Sequence, residues 1–138
     1  MTAVLFPGSF DPFTSGHEAV VRRALAVFDK VYVAVGVNSD KQYMFSVEDR
    51  LQRIRECFPA DPRVEAVSYS GMTVDLCRQL GVKVIIRGIR NADDLEYEKT
   101  AVAVNRALDS SVETLLLVSD PEHQDISSTL VREQLRHS

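Results

Sequence analysis

The sequence has little of what marks several large classes of protein. Its 138 residues include two cysteines, six glycines and five prolines, and neither glycine nor proline clusters into a linker. Cys57 and Cys77 lack the CxxC spacing and the neighbouring histidines of a zinc site, which favours reduced core thiols in a cytoplasmic protein. No apolar run approaches the length of a membrane span, and we expect no secretory signal after Met1.

An excess of positive charge is also missing. Sixteen lysines and arginines stand against twenty acidic residues, for a formal net charge of −4. The chain as a whole therefore attracts neither nucleic acid nor an anionic membrane, and any anionic ligand has to be held by a local group of cations. With 45% hydrophobic and 26% charged residues, the composition predicts one soluble globular domain over residues 1–138. A small phosphate compound is the expected ligand.

Several common catalytic motifs are absent as well. The sequence contains no GxxxxGK[ST], no GxGxxG after its first apolar run, no GxSxG and no HExxH. These absences disfavour P-loop and dehydrogenase chemistry, the serine hydrolases and the zinc proteases. What remains is a phosphate site built in some other way.

Strand-like and helix-like patterns alternate along the whole chain. Short runs rich in β-branched residues occupy 3–6, 31–37, 64–67, 82–86 and 114–118. Between them, apolar residues recur at helical spacing, for example Val20, Val21 and Ala24, or Tyr97, Ala101, Val104 and Leu108. This alternation predicts an α/β fold, a doubly wound (Rossmann-like) five-stranded parallel sheet, whose ligand sits beyond the carboxyl ends of the strands.

The first of these carboxyl ends carries the most unusual segment, PGSFDPFTSGH at 7–17. Thr14 or Ser15 can cap the following helix, whose free N–H groups and positive dipole end favour a phosphate. His17 is then placed to donate a hydrogen bond to a phosphate oxygen. The competing interpretation is a plain turn followed by a surface histidine, which the motif alone does not exclude.

Cations and hydroxyls follow the other strands. Arg87 and Arg90 flank a glycine in a segment expected to be the loop after the fourth strand, and guanidinium groups match phosphate oxygens in pairs. Lys41 lies after the second strand and is either a ligand-binding charge or a solvent lysine. Glu98 either accepts from a ribose hydroxyl or belongs to an acidic helix start. Ser127 and Ser128 open the last helix as caps or as a second phosphate cradle.

Taken together, these segments resemble one family. The [TH]xGH motif of the nucleotidylyltransferase superfamily appears here as Thr14-Ser15-Gly16-His17, and RGIR at 87–90, LEYE at 95–98, Asn105-Arg106 and ISSTLVR at 126–132 extend the match over nearly the whole chain. This combination is similar to bacterial phosphopantetheine adenylyltransferase. The sequence departs from it at Ser9, where many members have threonine, and at Thr73, where a larger apolar residue occurs.

The resemblance implies transfer of AMP from ATP to 4'-phosphopantetheine, giving dephospho-coenzyme A and pyrophosphate, with Mg²⁺ accompanying ATP. It assigns catalysis to His17, Lys41 and Arg90, and acceptor binding to Ser9, Lys41, Thr73 and Arg87. It assigns ATP binding to Ser9, Phe10, His17, Gly88, Ile89, Arg90, Glu98, His123, Gln124, Asp125, Ile126, Ser127, Ser128 and Thr129. No residue is expected to ligate a metal by itself.

The resemblance also implies a homo-oligomer, typically a hexamer, together with feedback by coenzyme A and a cytoplasmic location. Family members usually continue through another helix, whereas this sequence stops at Ser138, so we expect a C-terminal tail shorter than is usual for the family. Neither nucleic acid nor membrane is expected as a partner. Two alternatives stay open: a nucleotidylyltransferase for another phosphorylated acceptor, such as a pyridine mononucleotide, and a non-catalytic nucleotide-binding module.

Overall fold

The computed structural model of the protein describes residues 2–119 and 128–136. Strands and helices alternate throughout this part of the chain. The strands are β1 (Ala3–Gly8), β2 (Lys30–Gly36), β3 (Val64–Tyr69), β4 (Val84–Ile89) and β5 (Glu113–Val118). The helices are α1 (Ser15–Leu25), α2 (Val47–Cys57), α3 (Thr73–Leu80), α4 (Ala92–Leu108) and α5 (Ser128–Arg136).

The five strands form one parallel sheet in the order β3-β2-β1-β4-β5. The predicted doubly wound five-stranded sheet is therefore confirmed. The chain builds the sheet outward in one direction from β1 and then crosses back to add β4 and β5 on the other side. The strand order thus reverses between β1 and β4, and in such sheets a crevice opens there at the carboxyl ends.

Two apolar layers cover the two faces of the sheet. On one face, Val4, Phe6 and Val33 pack with residues of α1 and α2. On the other, Leu5 and Ile85 pack with residues of α3. Alternate residues of β1 serve opposite layers because side chains of a strand point to its two faces in turn. This packing fixes where the carboxyl ends of the central strands lie.

Helix α4 forms where its pattern predicts a helix, but its apolar positions do not enter the core. Tyr97 is 75% exposed, Val104 49% and Leu108 44%, whereas Glu98 is buried. Helical spacing of apolar residues indicates one apolar face, but it does not say which partner covers that face. Here the helix turns a carboxylate toward the sheet.

The segment expected to be a loop after the fourth strand is mostly strand. Arg87, Gly88 and Ile89 belong to β4 and pair with β5, so the prediction of an RGIR loop was wrong in its boundary. A Cβ built on Gly88 would lie 3.0 Å from Cγ2 of Val20. The glycine therefore allows α1 to pack closely on β4.

Within the described residues, no helix combines the length and the apolar character needed to cross a membrane.

Candidate active site

The loop between β1 and α1 is held by aromatic packing. Phe10 has a positive φ of 48°, and its ring, 3% exposed, lies 5.1 Å from the ring of Phe6 and 5.0 Å from that of His17. Phe13 is buried beside it. Because the ring of Phe10 is enclosed, any contact of this residue with a ligand has to come from its backbone. The loop is thus fixed in shape by the core.

The hydrogen bonds of His17 determine which of its nitrogens carries the proton. Thr14 caps α1, and its backbone N–H donates to Nδ1 of His17 over 2.9 Å. A nitrogen that accepts a hydrogen bond bears no proton, so the proton of the neutral ring is on Nε2. His17 lines a cavity, to which Nε2–H is the donor that remains. The capping box therefore presets the ring as a hydrogen-bond donor.

His17 is also kept neutral. Burial, together with the positive charges of Arg87 and Arg90, lowers its pKa from the usual 6.5 to about 4. At neutral pH the ring can donate a hydrogen bond, but it carries no charge and has no readily transferable proton. This agrees with a role in stabilising charge on a phosphate and disfavours a role as general acid.

Arg87 and Glu98 form an ion pair at the start of the crevice. Nε of Arg87 lies 3.1 Å from each carboxylate oxygen of Glu98, Nη2 lies 2.7 Å from Oε1, and Nη1 donates to the carbonyl of Pro7. Glu98 is 5% exposed. The acidic residue of α4 thus orients the arginine of β4, and the prediction that Glu98 meets a ribose hydroxyl stays a prediction.

Arg90 is oriented in a similar way by Asp94, four residues further along. The backbone N–H and Nε of Arg90 each donate to Oδ2 of Asp94 over 2.9 Å. This contact raises the pKa of Arg90 and lowers that of Asp94. Both arginines of the RGIR segment are therefore held in place by carboxylates before any ligand arrives.

Two cavities meet at this crevice. The larger, about 840 Å³, is lined by Lys41, Thr73 and Asn105 among others, and the smaller, about 350 Å³, by His17, Gly88 and Arg90. They share the following wall residues: Pro7, Gly8, Ser9, Arg87 and Glu98. The residues predicted for the acceptor thus line one cavity. Of those predicted for ATP, the other is lined by Ser9, Phe10, His17, Gly88, Arg90 and Glu98.

Further predicted residues differ in what the structure says of them. Thr73 begins α3, and its hydroxyl lies 3.1 Å from that of Tyr69. Ile89 ends β4. Ser128 and Thr129 start α5, and Arg132 of the same helix donates to the carbonyl of Asp11 over 2.5 Å. His123, Gln124, Asp125, Ile126 and Ser127 lie outside the described residues.

Sequence reasoning missed three charged residues of the site. Asp94 stands among the acidic residues at the start of α4 and lies only four positions after Arg90. Asp11 and Arg50 are both buried beneath the loop that carries Lys41. Arg50 stands in a polar stretch of α2, where nothing in the local pattern distinguishes it from a solvent-exposed arginine.

Known proteins resemble this chain over nearly its whole length. The profile of the family described as cytidylyltransferase-like matches residues 5–134. A phosphopantetheine adenylyltransferase of Flavobacterium psychrophilum is 45% identical over 137 residues, covering 99% of this chain and 90% of the relative. One from Porphyromonas gingivalis is 48% identical over 129 residues, covering 94% and 84%.

Solved structures agree on the fold. A bifunctional NMN adenylyltransferase/ADP ribose pyrophosphatase from Francisella tularensis superposes with a TM-score of 0.74 at 18% identity, over 99% of this chain and 42% of that one. At this identity the likeness shows the Rossmann-like fold alone. The family follows from the sequence relatives: the chain belongs to the cytidylyltransferase-like family and, within it, to the phosphopantetheine adenylyltransferases.

Proposed function

We propose that the protein transfers AMP from ATP to 4'-phosphopantetheine, releasing pyrophosphate and forming dephospho-coenzyme A. One observation carries the proposal most directly: two cavities meet at Ser9 and Arg87, with a lysine in one and a capped, neutral histidine in the other. A reaction that joins two phosphate compounds needs two such anion sites side by side. The names of the sequence relatives give the acceptor.

In this reaction an oxygen of the acceptor phosphate attacks the α-phosphorus of ATP, and pyrophosphate leaves from the opposite side. Both reactants are anions, so most of the catalysis has to come from positioning and charge stabilisation. Lys41 would neutralise the acceptor in the larger cavity. His17 would donate from Nε2 to the α-phosphate in the smaller one, and Arg90 would bind further phosphate oxygens. No side chain needs to form a covalent intermediate.

Arg87 is suited to contact both reactants. A guanidinium group has five N–H bonds, and those to Glu98 and Pro7 use one each on Nε, Nη1 and Nη2. One N–H on each terminal nitrogen is left beyond the bonds to described residues, and Arg87 lines both cavities. Arg87 can therefore bridge the acceptor phosphate and the α-phosphate while Glu98 keeps its plane fixed.

We propose that Mg²⁺ enters with ATP and is held mainly by its phosphates. Among the described residues there is no group of three or more histidine, cysteine, aspartate or glutamate side chains that could hold a metal. Magnesium commonly keeps several waters and takes most of its other ligands from substrate phosphates, so such a site fits this chain. The ion would supply neutralisation of phosphate charge.

The test is pyrophosphate release from Mg-ATP with each candidate acceptor. We expect release with 4'-phosphopantetheine, none with pantetheine, which lacks the attacking phosphate, and none with nicotinamide mononucleotide. Release only with nicotinamide mononucleotide would replace the proposal with the second nucleotidylyltransferase hypothesis. ATP binding without release with any acceptor would favour the non-catalytic module.

The surroundings of the site suggest three further expectations. We propose a homo-oligomer that covers the exposed side of α4 and β5, where Tyr97 and Val118 are 75% and 58% exposed, and the hexamer of the family is the expected form. We propose feedback by coenzyme A, since its pantetheine arm and adenylate would occupy both cavities and compete with both substrates. We propose a cytoplasmic location, which suits the free thiols of Cys57 and Cys77.

A further inference from the structure

Two buried charges of opposite sign hold the loop that carries Lys41, residues 37–46. Asp11, between β1 and α1, is 4% exposed, and Arg50, on α2, is 2% exposed. Within residues 2–119 and 128–136 they form no ion pair with each other or with any other side chain. Both charged side chains form hydrogen bonds with backbone groups instead.

The carboxylate of Asp11 forms hydrogen bonds with the backbone of the loop. Its Oδ2 accepts from the backbone N–H of Met44 and its Oδ1 from that of Phe45, each over 2.9 Å. Met44 and Phe45 are the third and fourth residues after Lys41. The loop is therefore bonded directly to the segment that contains Ser9.

The guanidinium of Arg50 forms hydrogen bonds with carbonyl oxygens of the same loop and of the neighbouring strand ends. Nε lies 3.2 Å from the carbonyl oxygen of Phe45, and Nη1 lies 2.9 Å from that of Ser9 and 3.3 Å from that of Gly36. Its carbon lies 4.0 Å from the centre of the Tyr43 ring. One side chain thus joins the end of β1, the end of β2 and both sides of the Lys41 loop.

A buried guanidinium without a carboxylate is costly, because carbonyl dipoles replace only part of its hydration. An apolar side chain could fill the same space without that cost, but it could not bind three separated carbonyls. We propose that Arg50, assisted by Asp11, is a positioning residue that sets where Lys41 stands relative to Ser9. This inference rests on the proposed function, which gives Lys41 the acceptor phosphate.

The position of the contacts predicts which substrate is affected. Ser9, Gly36, Lys41 and Tyr43 all line the larger cavity. Of these, only Ser9 also lines the smaller cavity, and none of the hydrogen bonds that Arg50 makes to the described residues reaches His17 or Arg90. Loosening Arg50 should therefore weaken use of the acceptor more than binding of ATP.

The kinetic test uses Arg50→Lys and Arg50→Gln, with Arg55→Gln as the matched control on the exposed side of the same helix. We expect kcat/KM for 4'-phosphopantetheine to fall by about 10²-fold, the scale for a catalytic group misplaced by roughly 1 Å. The KM for ATP should change far less, lysine should recover part of the loss, and the control should behave as the parent. An equal rise in the KM for 4'-phosphopantetheine and in the KM for ATP would overturn the inference.

A double substitution separates positioning from general damage. If Arg50 acts through Lys41, then Arg50→Lys in a Lys41→Ala background should change kcat/KM for the acceptor by no more than about twofold. The two losses would then be strongly non-additive. Fully additive losses would show that Arg50 acts independently of Lys41, contrary to the inference.

A readout without turnover keeps this test apart from that of the proposed function. Arg50→Lys should speed hydrogen exchange at the amides of Met44 and Phe45 whether or not any acceptor is used. Should the arginine variants fail to fold, Tyr43→Leu, which removes the partly exposed ring stacked on Arg50, should speed the same exchange more than Tyr43→Phe, which removes only the hydroxyl that accepts from the backbone N–H of Asn38. Unchanged exchange in the folded variants would refute the positioning role, whereas faster exchange in a chain that releases no pyrophosphate would refute the proposed function alone.

Discussion

The neutral state of His17 gives a prediction that joins stability and catalysis. Its pKa is lowered from 6.5 to about 4 in the folded protein. Between these values the unfolded chain binds a proton at this residue and the folded chain does not. The free energy of unfolding should therefore decrease as the pH falls from about 6.5 to 4, by about 3 kcal/mol from this residue if its pKa in the unfolded chain is the usual one.

The assay is urea unfolding of the parent, His17→Gln and His17→Ala at several pH values between 4.5 and 7.5. Neither substituted residue titrates in this range, so both variants should lose the pH dependence that His17 contributes. Because His123 and His137 are present in all three proteins, their effects cancel in the comparison. Parallel pH curves for parent and variants would refute a neutral, half-buried His17.

The same variants test the donor role. Loss of one transition-state donor costs about 10² to 10³ in kcat, so His17→Ala should fall by that amount while ATP binding weakens far less. Glutamine can still donate an N–H and should recover part of the rate. A kcat of the parent that falls below a pKa near 6.5, and a flat profile in His17→Gln, would instead identify the ring as a titrating catalytic base.

Three further changes test the rest of the site. Lys41→Ala should raise the KM for 4'-phosphopantetheine far more than that for ATP, whereas Lys83→Ala, just before β4 at the amino ends of the strands, should change neither; steady-state kinetics would decide. Glu98→Gln should lower the free energy of unfolding by about 2–3 kcal/mol, the scale for bonds to a charged group, and lower kcat, with the exposed Glu96→Gln as a control for both measurements. Gly88→Ala should destabilise the fold by about 1–3 kcal/mol in urea unfolding, because the added carbon presses on α1, and an unchanged midpoint would contradict that close packing.

The sequence predicted the fold well because strand and helix leave different periodicities. The alternation of 3–6, 31–37 and the later runs with helical spacing was sufficient to predict all five strands and a parallel sheet. It predicted less well where the environment, and not the period, decides. Whether Tyr97 packs inward depends on what α4 faces, and that is decided by the ion pair of Glu98 with a residue eleven positions earlier.

The candidate site was predicted by segment more accurately than by contact. His17, Lys41 and Arg87 line the crevice at the carboxyl ends, as strand order requires. Their partners were not predictable, because a bond such as that of Arg50 to the carbonyl of Ser9 joins residues forty-one positions apart and depends on the folded loop. Every residue has a backbone carbonyl, so the sequence does not show which carbonyls accept a hydrogen bond. A side chain whose hydrogen bonds all go to carbonyls therefore has partners that residue types do not reveal.

The wall shared by the two cavities has a consequence for how specificity can change. Ser9 directly follows β1, and Arg87 belongs to β4, its neighbour in the sheet, where adjacent strands lie about 4.8 Å apart. The spacing of these two wall residues is therefore set by the pairing of β1 with β4 at Leu5 and Ile85 and by the hydrogen bond from Arg87 to the carbonyl of Pro7. Another part of the wall of the larger cavity, which includes Gly71 and Met72, belongs to the loop between β3 and α3 and is free of that constraint. New acceptors can be accommodated there by mutation while the geometry of adenylyl transfer is conserved.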